Sequence, residues 1–121
     1  ERMHMLKLVK FVNERGGHAK VSALDAPPVE YGSFKEMFQE LFNHEVKVSA
    51  CINDLIDICL QHKDYATHNF LQWYVSEQIE EEALARNILD KIKLIGDDKG
   101  GFYLFDNDIK QLITQDTTEQ P

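Results

Sequence analysis

Residues 67–95 read THNFLQWYVSEQIEEEALARNILDKIKLI, and this stretch decides the fold. Steps of four and three along it place apolar residues, among them Leu71, Tyr74 and Ile88, on one side of a helix. This spacing is typical of a seam buried between packed helices. Gln78 and Glu81 interrupt the seam. The stretch therefore predicts a long helix that carries polar side chains on its buried face.

Two further stretches show the same combination of an apolar seam and polar interruptions. From Phe34 the seam includes Phe38, Val48 and Ile52 but is interrupted by Glu45, and near the start of the chain Glu1 and His4 precede Leu8 and Phe11. A buried carboxylate costs several kcal/mol unless something pairs with it. Polar residues interrupt the apolar seams of three predicted helices, which indicates that they share a binding partner. A metal ion is the natural candidate.

Composition restricts the class of protein. The chain has 121 residues, 43% of them hydrophobic and 28% charged, and its net charge is −8. These values suit one globular domain with a modest core. The negative charge disfavours non-specific binding to nucleic acid or to an anionic membrane. No apolar run approaches the roughly 20 residues that a membrane span needs, and no secretory leader is visible.

The cysteines and the first residues also carry information. Cys51 and Cys59 lie on one predicted helix, too far apart for a disulfide, so both are interpreted as buried thiols in a reducing compartment. The chain begins within a seam, without a capping residue before Glu1. We therefore expect N-terminal sequence to be missing.

Helix start and stop signals predict three long helices. The first ends near Glu14, before Gly16 and Gly17. A long crossover with Pro27 and Pro28 follows. Ser33 and Glu36 form a capping box for the second helix, which continues to about residue 62. After a short break, Asp64 or Thr67 caps the third, which Gly96 ends.

A short fourth segment follows a glycine-containing turn over residues 97–101. Asp106 is predicted to cap a helix over about 107–114, and a polar, mobile tail begins at Gln115. The expected organisation is an all-α bundle over residues 1–96, then the turn, short helix and tail over 97–121. The short break at residues 63–65 makes the second and third helices antiparallel, and the long crossover makes the first and second parallel.

Helix lengths predict that the polar interruptions meet. Glu45, Gln78 and Glu81 fall near mid-height of their helices, as does the i, i+3 pair Glu1 and His4. Carboxylates with one imidazole suit iron(II), manganese or zinc. The three glutamates with one more carboxylate from a missing helix would balance two divalent cations, which favours a dinuclear site.

The chain resembles the bacterial non-haem ferritins over nearly its whole length. The resemblance rests on residues 1–4 (ERMH), on the crossover residues 26–33 (APPVEYGS), on Glu45 and above all on residues 69–82 (NFLQWYVSEQIEEE). Arg2 follows the first glutamate where a bacterioferritin has its haem-binding methionine. The third helix has Gln-x-x-Glu in place of a second Glu-x-x-His. Both features imply the non-haem branch, without haem.

The resemblance assigns a role to each candidate residue. Glu1 would bridge two irons, His4 would bind the first, and Glu45 and Glu81 would bind the second. Gln78 would lie beside the oxygen-binding side. Glu77 and Glu80, with Glu81, would form a third iron site. Glu82 is instead interpreted as part of a solvated acidic face, and Trp73 and Tyr74 as packing residues.

The implied function is iron storage with ferroxidase activity in the cytoplasm. Iron(II) would bind at the dinuclear site, dioxygen or peroxide would oxidise it, and iron(III) mineral would collect in a homo-oligomeric cage of 24 subunits. The family's first helix, which carries its own glutamate ligand, is absent, along with the first half of the second. The alternative is therefore a non-catalytic shell or interaction subunit with an incomplete metal site. A di-iron peroxide reductase would require a second histidine in the layer or a rubredoxin-like cysteine set.

Overall fold

A computed structural model describes the backbone of residues 2–116 and the side chains of residues 2–111. Four α-helices make up the described chain: α1 (Arg2–Glu14), α2 (Phe34–Gln61), α3 (Tyr65–Ile95) and α4 (Lys99–Asp116). No strand occurs in this range. The predicted all-α architecture is confirmed.

Side-chain caps set the helix starts that the sequence predicted. The hydroxyl of Ser33 accepts a hydrogen bond from the Glu36 backbone N–H at 3.1 Å. Asp64, rather than Thr67, caps α3, because its carboxylate accepts from the Thr67 N–H at 3.0 Å and from the Thr67 hydroxyl at 2.6 Å. Gly96, with φ of 57°, ends α3 in the left-handed region that glycine tolerates.

Helix α1 lies antiparallel to α3 and touches it through side chains. The Phe11 ring stacks on Phe70 with centroids 3.8 Å apart, and further along α3 His4 lies beside Glu77, with Nε2 and Oε2 3.8 Å apart. Chain numbers therefore rise in opposite directions along the two helices. None of the described residues of α1 is buried, so α3 covers only one side of this helix.

Helix α2 also lies antiparallel to α3. Glu45 contacts Gln78, and nearer the start of α2 Phe42 lies under the Arg86 guanidinium, 5.4 Å from the ring centroid. Since α1 and α2 both oppose α3, they are parallel to each other. The long connection over residues 15–33 is the crossover that the sequence predicted.

Two apolar clusters form the core, one on each side of the mid-bundle level. The first contains Ile52, Cys59, Leu71 and Tyr74. The second lies toward α4 and contains Ile88, Ile92 and Phe105. Glu45 and Gln78 lie between the clusters and are the buried polar residues of the described chain. The core is thus interrupted where the seams are interrupted.

Helix α4 corrects the prediction of a short C-terminal helix. It begins at Lys99 rather than near residue 107, and it continues to Asp116, beyond the predicted start of the tail. Asp98 caps it by accepting from the Gly101 N–H at 2.6 Å, whereas Asp106 lies inside the helix. The predicted tail residues 117–121 lie outside the described part of the chain.

One prediction about the cysteines was wrong. Cys59 is buried, as expected, but Cys51 is exposed. Cys51 directly precedes the seam residue Ile52, and this offset turns its side chain out of the α2–α3 contact. No described helix is long and apolar enough to cross a membrane.

Candidate functional site

Glu45 and Gln78 form a buried polar pair between α2 and α3. The Gln78 amide nitrogen donates to the Glu45 carboxylate at 2.8 Å and to the Glu45 backbone carbonyl at 2.9 Å. Each residue is only 8% exposed. The prediction that these two seam interruptions meet is confirmed. Both partners of the amide nitrogen are acceptors, which fixes the orientation of the amide.

His4 brings α1 to the same level of the bundle. Its Nε2 lies 3.8 Å from the Glu77 carboxylate, and the Tyr74 hydroxyl donates to its backbone carbonyl at 2.7 Å. Glu77 and Gln78 are consecutive on α3, so one turn of α3 meets His4 on one side and Glu45 on the other. Helices α1, α2 and α3 therefore contribute polar groups to one layer, as helix lengths predicted.

Aromatic rings enclose His4 on its α3 side. The Trp73 ring meets the imidazole edge-on, with centroids 5.1 Å apart, and the Lys7 ammonium lies 3.3 Å from the Trp73 centroid. Such a cation–π contact is worth about 0.5–2 kcal/mol. Burial raises the pKa of the Tyr74 phenol to about 12. These contacts orient the imidazole and keep the neighbouring hydroxyl protonated.

The other predicted site residues differ in how far their side chains are exposed. Glu81 is half-buried on α3, and Glu80 is exposed. Glu1 lies outside the described residues, so its position relative to His4 stays a prediction. Within the described part of the chain, no three His, Cys, Asp or Glu side chains lie close enough together to hold a metal ion. The roles of these residues as metal ligands stay predictions.

Sequence reasoning missed a polar cluster next to the Glu45–Gln78 pair. Ser49 on α2 donates to the Glu82 carboxylate on α3, and the Arg86 guanidinium lies 3.8 Å from the other oxygen of that carboxylate. Glu82 was expected on a solvated face, but its side chain is only 25% exposed. The available signal was the i, i+4 spacing of Glu82 and Arg86 together with the small polar Ser49 directly after a seam position.

An all-α chain with polar groups from three helices at one level is typical of metal-binding helix bundles. Residues 1–95 match the ferritin-like domain family. The chain belongs to this family.

Individual relatives agree with this assignment. The chain is 44% identical to a probable bacterial non-haem ferritin-like protein of Haemophilus influenzae, over 95% of this chain and 70% of that protein. It is 46% identical to a bacterial non-haem ferritin of Campylobacter jejuni, over 93% of this chain and 67% of that protein. The family resemblance of the sequence is thereby confirmed.

Solved structures agree as well. An open-pore ferritin from the archaeon Archaeoglobus fulgidus superposes with a TM-score of 0.86 and 46% identity, over 88% of this chain. The chain spans 65% of the length of that structure.

Proposed function

We propose that this chain is an iron-storage subunit with ferroxidase activity. Iron(II) is its substrate, bound at the mid-bundle layer, oxidised there and stored as iron(III) mineral in a homo-oligomeric cage. Membership of the ferritin-like family supports the storage role. The observation that carries the oxidation site is the buried Glu45–Gln78 pair at the level where His4 meets α3.

The physical argument starts from the cost of burying Glu45. Its carboxylate is stabilised in the described structure by one amide N–H, which replaces only part of the lost hydration. A divalent cation would stabilise the buried charge more strongly. Carboxylate oxygens prefer iron(III) over iron(II) and so favour oxidation. His4, Glu45 and Glu81, with Glu1 and Gln78, are the proposed ligands.

A dinuclear site would supply two electrons to one oxidant molecule. Two iron(II) ions held a few ångströms apart can reduce dioxygen or peroxide in one encounter, without releasing a one-electron intermediate. Glu77 and Glu80, with Glu81, are the proposed third iron site. They would receive an iron ion near the pair and pass it onward. We propose no role for haem.

An anaerobic iron(II) titration followed by air tests the proposal. Saturable binding of about two irons per chain is expected for a dinuclear site. Admission of air should then produce a rapid rise in the absorbance of iron(III). Glu45→Ala should abolish the rapid phase, whereas Glu40→Ala, at an exposed position on the same helix, should leave it unchanged. Equal rates in both variants would contradict the site.

A second candidate is a non-catalytic shell or interaction subunit. It is favoured by the absence, among the described side chains, of a group of three ligands close enough to hold a metal. The same titration separates the two functions, because a shell subunit would bind no iron above background.

The proposed assembly is a 24-subunit cage in the cytoplasm, and sedimentation velocity of the purified chain tests its size.

A further inference from the structure

A groove between α2 and α3 opens beside the proposed oxidation site. It encloses about 280 Å³, and its polar lining consists of Ser49, Asn53, Gln78, Glu82 and Arg86. Ile52, Val75 and Ile79 form its apolar wall. We call this cavity the α2–α3 groove. Gln78 is the one residue that belongs to both the groove lining and the Glu45 contact described above.

The Gln78 amide offers the groove an acceptor. Its nitrogen donates both to the Glu45 carboxylate and to the Glu45 carbonyl, so both N–H hydrogens are directed at α2. The polar atom that Gln78 can present to a molecule in the groove is therefore its carbonyl oxygen, Oε1. Gln78 is 8% exposed. A ligand that reaches it must donate a hydrogen bond to be held there.

The charges in the groove compensate each other. The Glu82 carboxylate accepts from Ser49 and lies 3.8 Å from the Arg86 guanidinium. A divalent cation entering here would meet the positive charge of Arg86 beside the carboxylate. The groove therefore suits a neutral ligand rather than iron(II).

We propose that the α2–α3 groove admits hydrogen peroxide and holds it against Gln78 Oε1. Peroxide is small and neutral, and it carries two O–H donors. Dioxygen has no donor and gains nothing from a carbonyl oxygen. This inference rests on the proposed ferroxidase function and names peroxide as the oxidant that uses this entrance. Each peroxide takes one electron from each of two iron(II) ions, its O–O bond breaks, and two protons complete two water molecules.

An experiment on the iron-free chain tests the groove by itself. In a ¹⁵N-labelled sample, peroxide added under anaerobic conditions should shift the side-chain amide resonance of Gln78, which is assigned by its loss in Gln78→Met. Ile79→Trp should fill the groove and remove the shift; Ile79 is 67% exposed, so the fold tolerates the larger ring. Leu94→Trp, at an exposed position on the same helix outside the groove, is the control and should keep it.

Oxidation kinetics supply the second measurement. The chain is loaded with iron(II) without oxygen and mixed with either peroxide or dioxygen. Ile79→Trp should slow the peroxide reaction several-fold and leave the dioxygen rate and the anaerobic iron(II) isotherm unchanged, and Leu94→Trp should change neither. An unshifted Gln78 resonance, or equal slowing with both oxidants, overturns the inference while iron binding stands. Absence of iron binding overturns the proposed function. In that case the Gln78 resonance still shows whether peroxide binds in the α2–α3 groove.

Discussion

At the scale of single residues, Gln78 determines how Glu45 can be buried. A carboxylate and a backbone carbonyl both accept from one amide nitrogen, at 2.8 and 2.9 Å. Without that amide, the buried carboxylate would lose its donor, which costs more than an ordinary hydrogen bond contributes, whereas the carbonyl would keep its bond within α2. The pair is therefore a structural requirement as well as the centre of the proposed site.

Replacement of Gln78 by an apolar side chain of similar length should measure this requirement. Gln78→Met is expected to lower the free energy of unfolding by about 1–3 kcal/mol, because Glu45 loses its donor in a buried position. The measurement is urea denaturation followed by circular dichroism. Gln72→Met is the matched control: Gln72 is exposed on the same helix, and its amide bonds only His68 one turn away. Equal losses in both variants would contradict the argument.

Tyr74 makes the stability of the folded chain depend on pH. Burial raises the pKa of its phenol to about 12, compared with 10.0 for an unperturbed tyrosine. The folded state therefore holds this proton more tightly than the unfolded state. The stability linked to it is fully present below pH 10 and is lost as the pH rises through about 12.

A spectrophotometric titration near the tyrosinate absorption band checks this value. The wild-type chain should show a late component with a midpoint near pH 12, and Tyr74→Phe should remove that component alone. Above pH 10, the free energy of unfolding should fall less steeply with pH in the same variant than in the wild-type chain. If Tyr74→Phe instead removed a component with the ordinary midpoint near pH 10.0, the phenol would not be buried as described.

At the scale of elements, α4 shows how packing overrides local preference. Gly100 and Gly101 are poor helix formers, which is why the sequence predicted a turn there. The helix nevertheless begins at Lys99, because Asp98 caps it and because the Phe105 ring packs edge-on against Phe34, 5.9 Å between centroids. Its packing energy comes from residues at the start of α2 and near the end of α3, which local sequence cannot reveal.

The two glycines of α4 should respond oppositely to alanine. A Cβ on Gly101 would lie 2.8 Å from Ile95 Cγ2, whereas one on Gly100 would meet only Asp98 Oδ2, at an ordinary 3.4 Å. Gly101→Ala should therefore destabilise the chain by about 1–3 kcal/mol through overpacking. Gly100→Ala should stabilise it by about 0.5–1 kcal/mol, since alanine favours the helix. Thermal denaturation of both variants provides the comparison, and stabilisation by both would refute the close approach.

At the scale of the whole molecule, α1 and α2 leave apolar side chains uncovered. Leu41 and Leu55 on α2 are 42% and 45% exposed, and Met5 and Leu8 on α1 are 42% and 37% exposed. All but Met5 lie on the seams that the sequence predicts to be buried. Exposed apolar side chains along the seams of two helices favour association.

Polar replacement on this surface should reduce self-association. The double variant Leu41→Gln, Leu55→Gln is expected to shift the sedimentation distribution toward smaller species, with little loss of unfolding free energy, because both side chains are already partly hydrated. Leu94→Gln, at a position 87% exposed and outside the seams, is the control. A distribution that the double variant leaves unchanged would show that this surface does not drive assembly.

The sequence by itself determined the helix count, the antiparallel and parallel relations and the level at which Glu45 meets Gln78. These follow from periodicity and helix rise, which are local properties of the chain. Tertiary structure alone decided the length of α4 and the inward turn of Glu82 toward Ser49. Each of those depends on a partner distant in sequence, whose distance and orientation are set by helix packing rather than by residue spacing.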